Sequence, residues 1–132
     1  GMVGCEAAEY LAERGHEAAV IEMKDVIAAD VTPENRRYMF ANFEEHHVLL
    51  RPSAKVSQFY PDGVDYTLAD GTAGSLRGYD NVVLAMGSRS NAVLKETAEK
   101  VAPQVFVIGE AAKAPGNAVL ATHDALEAAL QI

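Results

Sequence analysis

Two glycines and a glutamate are the residues of this chain whose types and spacing suggest chemistry. Gly1 and Gly4, in GMVGCE, lead directly into an apolar helical stretch, and Glu22 closes the next apolar run, AAVIEM. In a βαβ unit that holds a dinucleotide, one glycine lets the backbone approach a diphosphate and a later one lets helix and strand pack closely. The start of the helix offers free N–H groups and a positive dipole end to phosphate oxygens. A carboxylate roughly 20 residues on, at the end of the second strand, accepts hydrogen bonds from ribose hydroxyls and repels a 2′-phosphate. The pattern therefore favours NAD(H) over NADP(H), with Gly1, Gly4, Glu22 and the adjacent Met23 as candidate contacts. An ordinary helix–strand pair is the alternative.

Those residues need elements to hold them. Val3, Ala7, Tyr10 and Leu11 recur at helical spacing, and Gly15 is a natural stop. Ala18–Met23 reads as a short buried strand. Thr32 and Pro33 signal the start of a second helix, reaching about Glu45, with Tyr38, Met39, Phe40 and Phe43 as its apolar side. Val48–Leu50 reads as another strand. Lys55–Phe59, Val64–Leu68 and Ser75–Tyr79 are strand-like and are separated by Pro61-Asp62-Gly63 and Asp70-Gly71, which predicts a three-stranded antiparallel meander. Asn81–Ala85 (NVVLA) and Val105–Ile108 (VFVI) read as buried strands, with a possible short helix between them. Ala118–Leu130 forms a last helix. Helices alternating with parallel-type strands imply an α/β fold: a Rossmann-like, mostly parallel sheet carrying the meander as an insertion at about 54–80.

Composition narrows the classes. The chain has 132 residues, 49% of them apolar, and a net charge of −8 from 19 acidic and 11 basic side chains. Nucleic-acid binding needs clustered cations, and no such cluster is present. The single cysteine, Cys5, rules out an intrachain disulfide. No apolar run approaches the roughly 20 residues of a membrane span, and the N-terminus has no signal-peptide pattern. A cytoplasmic protein that binds neither membrane nor nucleic acid is the expectation.

The order GMVGCE, VIEM, meander, NVVLAMGSRSN, VFVIGEA and ATHDALEAAL resembles the pyridine-nucleotide oxidoreductases with two dinucleotide domains. More narrowly, it resembles the C-terminal NAD/FAD-binding region of NADH:flavin oxidoreductases, the 2,4-dienoyl-CoA reductase and enoate reductase relatives of old yellow enzyme. The resemblance covers essentially the whole chain. It implies hydride transfer from NADH to FAD in this region. Electrons then pass through an iron–sulfur cluster to FMN on a TIM barrel, where an α,β-unsaturated carbonyl is reduced. It also implies that 1–104 is a truncated NAD(P)-binding domain, and that 105–132 corresponds to the end of the FAD-binding domain, packed into the same domain or apart. Met86-Gly87 matches the glycine turn that closes the nucleotide domain. Gly109-Glu110 stands where the family has Gly-Asp, whose Asp bonds the flavin ribityl chain. Glu6 falls at a position near the nicotinamide. The isolated chain is expected to be inactive, and a catalytically silent α/β nucleotide-binding or interaction module is the alternative.

No nucleophile–base pair or metal cluster stands out, so no catalytic side chain and no metal ligand is assigned. Cys5 reads as a packed residue, and His46 and His47, being adjacent, point apart. Arg36 and Arg37 read as a solvated helix face. The strand that would precede Gly1 in such a unit is expected to be absent, and it is the central one. Unpaired buried backbone groups cost roughly 1–3 kcal/mol each, so something must fill its slot. VFVI is the expected occupant; strand exchange in a homodimer is the alternative.

Overall fold

The computed structural model describes residues 1–132, which fall into two compact units, Gly1–Met86 and Gly87–Ile132. The first unit begins with helix α1 (Met2–Ala12), which ends in a turn where Gly15 takes φ +83°. Strand β1 (Ala19–Ile21) follows, then helix α2 (Pro33–Glu45) and strand β2 (Leu49–Arg51). Pro33 sits in the first turn of α2, where its missing N–H costs nothing. β1 and β2 pair in parallel, Val20 opposite Leu50.

The meander is β3 (Ala54–Tyr60), β4 (Gly63–Leu68) and β5 (Ala73–Arg77), a separate antiparallel sheet in chain order. The predicted turns at Asp62-Gly63 and Asp70-Gly71 fall between these strands. Backbone bonds from Ala54 N to Glu22 O (2.9 Å) and from Ser53 N to Lys24 O (2.8 Å) fasten β3 to the end of β1. That end is therefore held on two sides, by β2 and by the meander.

The core of this unit is Cys5, Ala8 and Ala12 of α1 packed on Val20, Ile27, Ala28, Met39, Phe43 and Val48. Two expectations for helix faces need correction. Val3 and Tyr10 are exposed, and the buried stripe of α1 is the set of small residues around Cys5; Tyr38 also faces outward on α2. Small side chains let α1 approach β1 closely, so they take the inner face although larger apolar residues flank them.

Two expected strands do not form. Asn81–Met86 pairs with no strand, and Val83 and Leu84 are exposed by 61% and 63%. VFVI lies in the second unit and has no ladder either, so it does not fill the slot beside β1. β1 and NVVLA do not pair with each other. The physical reason is common to both segments: apolar β-branched residues favour extended backbone, but a strand exists only against a partner. The outer edge of β1 has none. A groove of ≈ 270 Å³ lies there instead, lined by α1, β1, the meander and the 81–86 segment.

The second unit holds α3 (Lys95–Glu99), a single 3₁₀ turn at Gly109–Ala111 and α4 (Ala118–Ala129). Asn117 caps α4, its Oδ1 accepting from Leu120 N at 2.9 Å. This unit buries no side chain fully. No helix in the chain is long and apolar enough to cross a membrane.

Candidate nucleotide site

The first turn of α1 and the end of β1 meet, and the meeting is made by the residues singled out above. Glu22 Oε2 lies 2.8 Å from the Gly1 nitrogen. Its other oxygen, Oε1, accepts from Lys24 N at 3.1 Å. Burial alone would raise the Glu22 carboxyl, but those hydrogen bonds and the adjacent positive charge hold it below the usual carboxylate range. Glu22 is thus an ionised acceptor at neutral pH, fixed at the strand end by backbone on one side and the helix start on the other.

Gly4 faces the 81–86 segment one turn into α1. A Cβ on Gly4 would lie 3.1 Å from the Cβ of Ala85, so the glycine permits the close approach its position suggests. Gly1 is crowded by a different neighbour. A Cβ there would meet Asp30 Oδ2 at 3.3 Å, because Asp30 accepts from Met2 N through Oδ1 at 2.9 Å and Oδ2 at 3.0 Å. Sequence spacing did not single out Asp30. The one available signal was an acid in a turn-rich loop shortly before Thr32-Pro33, and loop acids are common.

The other candidates are dispersed. Glu6 is exposed on α1 and makes no hydrogen bond, and Met23 is 68% exposed just past β1. In the second unit, Gly87 takes φ +83°. There Glu110 Oε1 accepts from Ser88 Oγ (3.0 Å) and Gly116 N (2.8 Å), and these bonds lower the carboxyl's pKa. Gly109 takes φ +59° and donates its N–H to Asp124 Oδ2 at 3.0 Å. Asp124 is a second acid the sequence reading missed, reaching the glycine turn from one face of α4.

Cys5 is fully buried, and burial raises its thiol pKa, with no paired cysteine in the chain. It is a packing residue.

Residues 1–125 match the family model described as pyridine nucleotide-disulphide oxidoreductase. The chain belongs to that family. Among curated relatives, this family member is 35% identical over 133 residues to an NADH oxidase of Thermoanaerobacter brockii, across 100% of this chain and 20% of that protein. It is 36% identical over 110 residues to a bilirubin reductase of Mediterraneibacter gnavus, across 83% of this chain and 17% of that protein. Among solved structures, a complex of 2-naphthoyl-CoA reductase with 2-naphthoyl-CoA superposes with a TM-score of 0.79 at 29% identity. It covers 97% of this chain and 19% of that one. Histamine dehydrogenase from Rhizobium sp. 4-9 shares the fold, with a TM-score of 0.77 at 17% identity over 96% of this chain and 21% of that one. The chain therefore spans about a fifth of the length of these relatives. The family match and these likenesses agree with the Rossmann-like α/β reading and with the resemblance drawn from the motifs.

Proposed function

We propose that this chain is the nucleotide-binding portion of a flavin-dependent oxidoreductase in which NADH passes hydride to FAD, within a parent that reduces an α,β-unsaturated carbonyl. One observation carries the reading: the Glu22 carboxylate sits at the end of β1, 2.8 Å from the nitrogen of Gly1, the residue before α1. A carboxylate in that position suits a ribose hydroxyl, and a helix start beside it suits a diphosphate.

The residues divide the work by chemistry. Glu22 accepts hydrogen bonds from the adenosine ribose and, being ionised, disfavours a 2′-phosphate. The first-turn amides of α1 hold the diphosphate, with Gly1 keeping a Cβ out of its way and Gly4 letting the helix pack closely. On the flavin side, Gly87 and Gly109 supply left-handed turns, and Glu110, steadied through Oε1, offers Oε2 to a ribityl hydroxyl. When bound, the nicotinamide supplies a hydride and the flavin accepts it; the chain supplies positioning and charge.

The rest of the parent follows from the family resemblance. An iron–sulfur cluster and FMN belong to a TIM-barrel portion, the parent acts in the cytoplasm, and the chain without that portion turns over no substrate. The reading is tested by equilibrium dialysis of the purified chain against NADH and NADPH, with FAD monitored by its visible absorbance. Saturable NADH retention that exceeds NADPH retention supports the reading, and retention of neither overturns it.

A further inference from the structure

The amide that opens α1 already has an acceptor. Both oxygens of Asp30 approach Met2 N, at 2.9 and 3.0 Å, and the same carboxylate lies where a Cβ on Gly1 would meet it at 3.3 Å. The bond from Met2 draws the Asp30 carboxyl below its ordinary range, so it is charged at neutral pH. A carboxylate on the positive end of a helix has the same charge sign and acceptor geometry as a phosphate oxygen. Asp30 is exposed, and outside its own residue only the Met2 amide donates to it. It sits in the loop of turns between β1 and α2, where Ala28 takes φ +54°. Beyond that bond, the charges of the Gly1 amino group and Lys24 attract the side chain without a hydrogen bond to it.

We propose that Asp30 is an internal competitor of the dinucleotide diphosphate. In the free chain it occupies the first donor of α1, and a nucleotide binds only as this carboxylate swings outward. The inference rests on the nucleotide reading above and adds to it a residue that opposes binding. Glu22 and Asp30 then play opposite parts with the same functional group. Glu22 accepts from ribose and stays, whereas Asp30 stands in for phosphate and leaves. Both acids flank Gly1, one bonded to its nitrogen and the other within 3.3 Å of where its Cβ would stand.

The test compares NADH affinity by equilibrium dialysis in the wild-type chain, D30A, D30N and D25N. Asp25 is an exposed acid of the same loop that makes no hydrogen bond, so D25N reports the effect of one lost charge alone. D30N keeps a neutral acceptor for the helix and serves if D30A fails to fold. Tighter binding by about tenfold in the Asp30 variants, the worth of one charge-assisted hydrogen bond, with D25N at wild-type affinity, supports the competitor. Equal affinity in all four overturns it and leaves the nucleotide reading intact. Equal tightening in D25N and the Asp30 variants overturns it in favour of general repulsion. No binding in any variant removes the nucleotide reading with it.

Discussion

Gly4 and Ala85 meet across the start of α1, and a Cβ on the glycine would stand 3.1 Å from that of the alanine. Ala85 must give by a few tenths of an ångström if Gly4 becomes alanine. A helix interior gains about 1 kcal/mol from Gly→Ala, so G4A is expected to be close to neutral. G4V adds two methyl groups with no space for them and is expected to destabilise by about 1–3 kcal/mol. Urea unfolding of the two variants checks this. If G4V is as stable as G4A, the helix and the 81–86 segment are not in contact.

Gly74 is the tighter case. It is paired with Tyr66 across β4 and β5, and a Cβ on it would fall 2.5–2.7 Å from Cζ, Cε2 and the hydroxyl oxygen of Tyr66. Tyr66 is buried, and its ring covers the glycine. G74A is expected to cost about 1–3 kcal/mol by forcing the ring aside. The double variant G74A/Y66A is expected to lose less than the sum of its parts, since the clash vanishes with the ring. Thermal unfolding of the three variants reads this out.

The meander was legible before any coordinates. Its turns are set by Pro61-Asp62-Gly63 and Asp70-Gly71, local signals that need no distant partner. The parallel pair β1 and β2 was legible for a similar reason, because each is a short apolar run that follows a helix. NVVLA and VFVI carry the same local pattern but no ladder, and the difference is non-local. A strand is defined by its neighbour, and neighbours cannot be read from five residues. At the candidate site, Gly4 and Glu22 were legible because spacing alone brings them to the ends of adjacent elements. Asp30 and Asp124 were not, because their importance lies in where a loop and a helix face deliver them.

The acid side of the pH profile follows from the meander. Asp65 accepts from Arg77 Nη2 at 2.5 Å and from Tyr60 Oη at 3.0 Å, and the guanidinium first, then the phenol, lowers the carboxyl's pKa. A carboxyl depressed on folding stabilises the fold above its unfolded pKa, and that contribution is lost as pH falls through the folded value. Asp65 thus contributes fully above about pH 4, close to its ordinary carboxyl pKa, and less at each step below it. D65N is expected to flatten the loss of melting temperature between roughly pH 5 and pH 2 relative to wild type. An unchanged slope shows that this cluster does not couple to folding.

Under the nucleotide reading proposed above, coenzyme choice rests on Glu22. The ionised carboxylate accepts from Lys24 N and lies at the start of α1, where a ribose 2′-hydroxyl would be welcomed and a 2′-phosphate repelled. E22Q keeps the size and one acceptor but drops the charge. NADH binding is expected to weaken by about tenfold to a hundredfold, from the loss of charge-assisted hydrogen bonds. NADPH binding is expected to change little or to improve, because the repulsion is gone. The ratio of the two dissociation constants, measured by NADH and NADPH fluorescence titration, is therefore the informative quantity. A general loss of fold weakens both coenzymes together and leaves the ratio where it was. A shift in the ratio toward NADPH isolates the charge at position 22 as the discriminating feature.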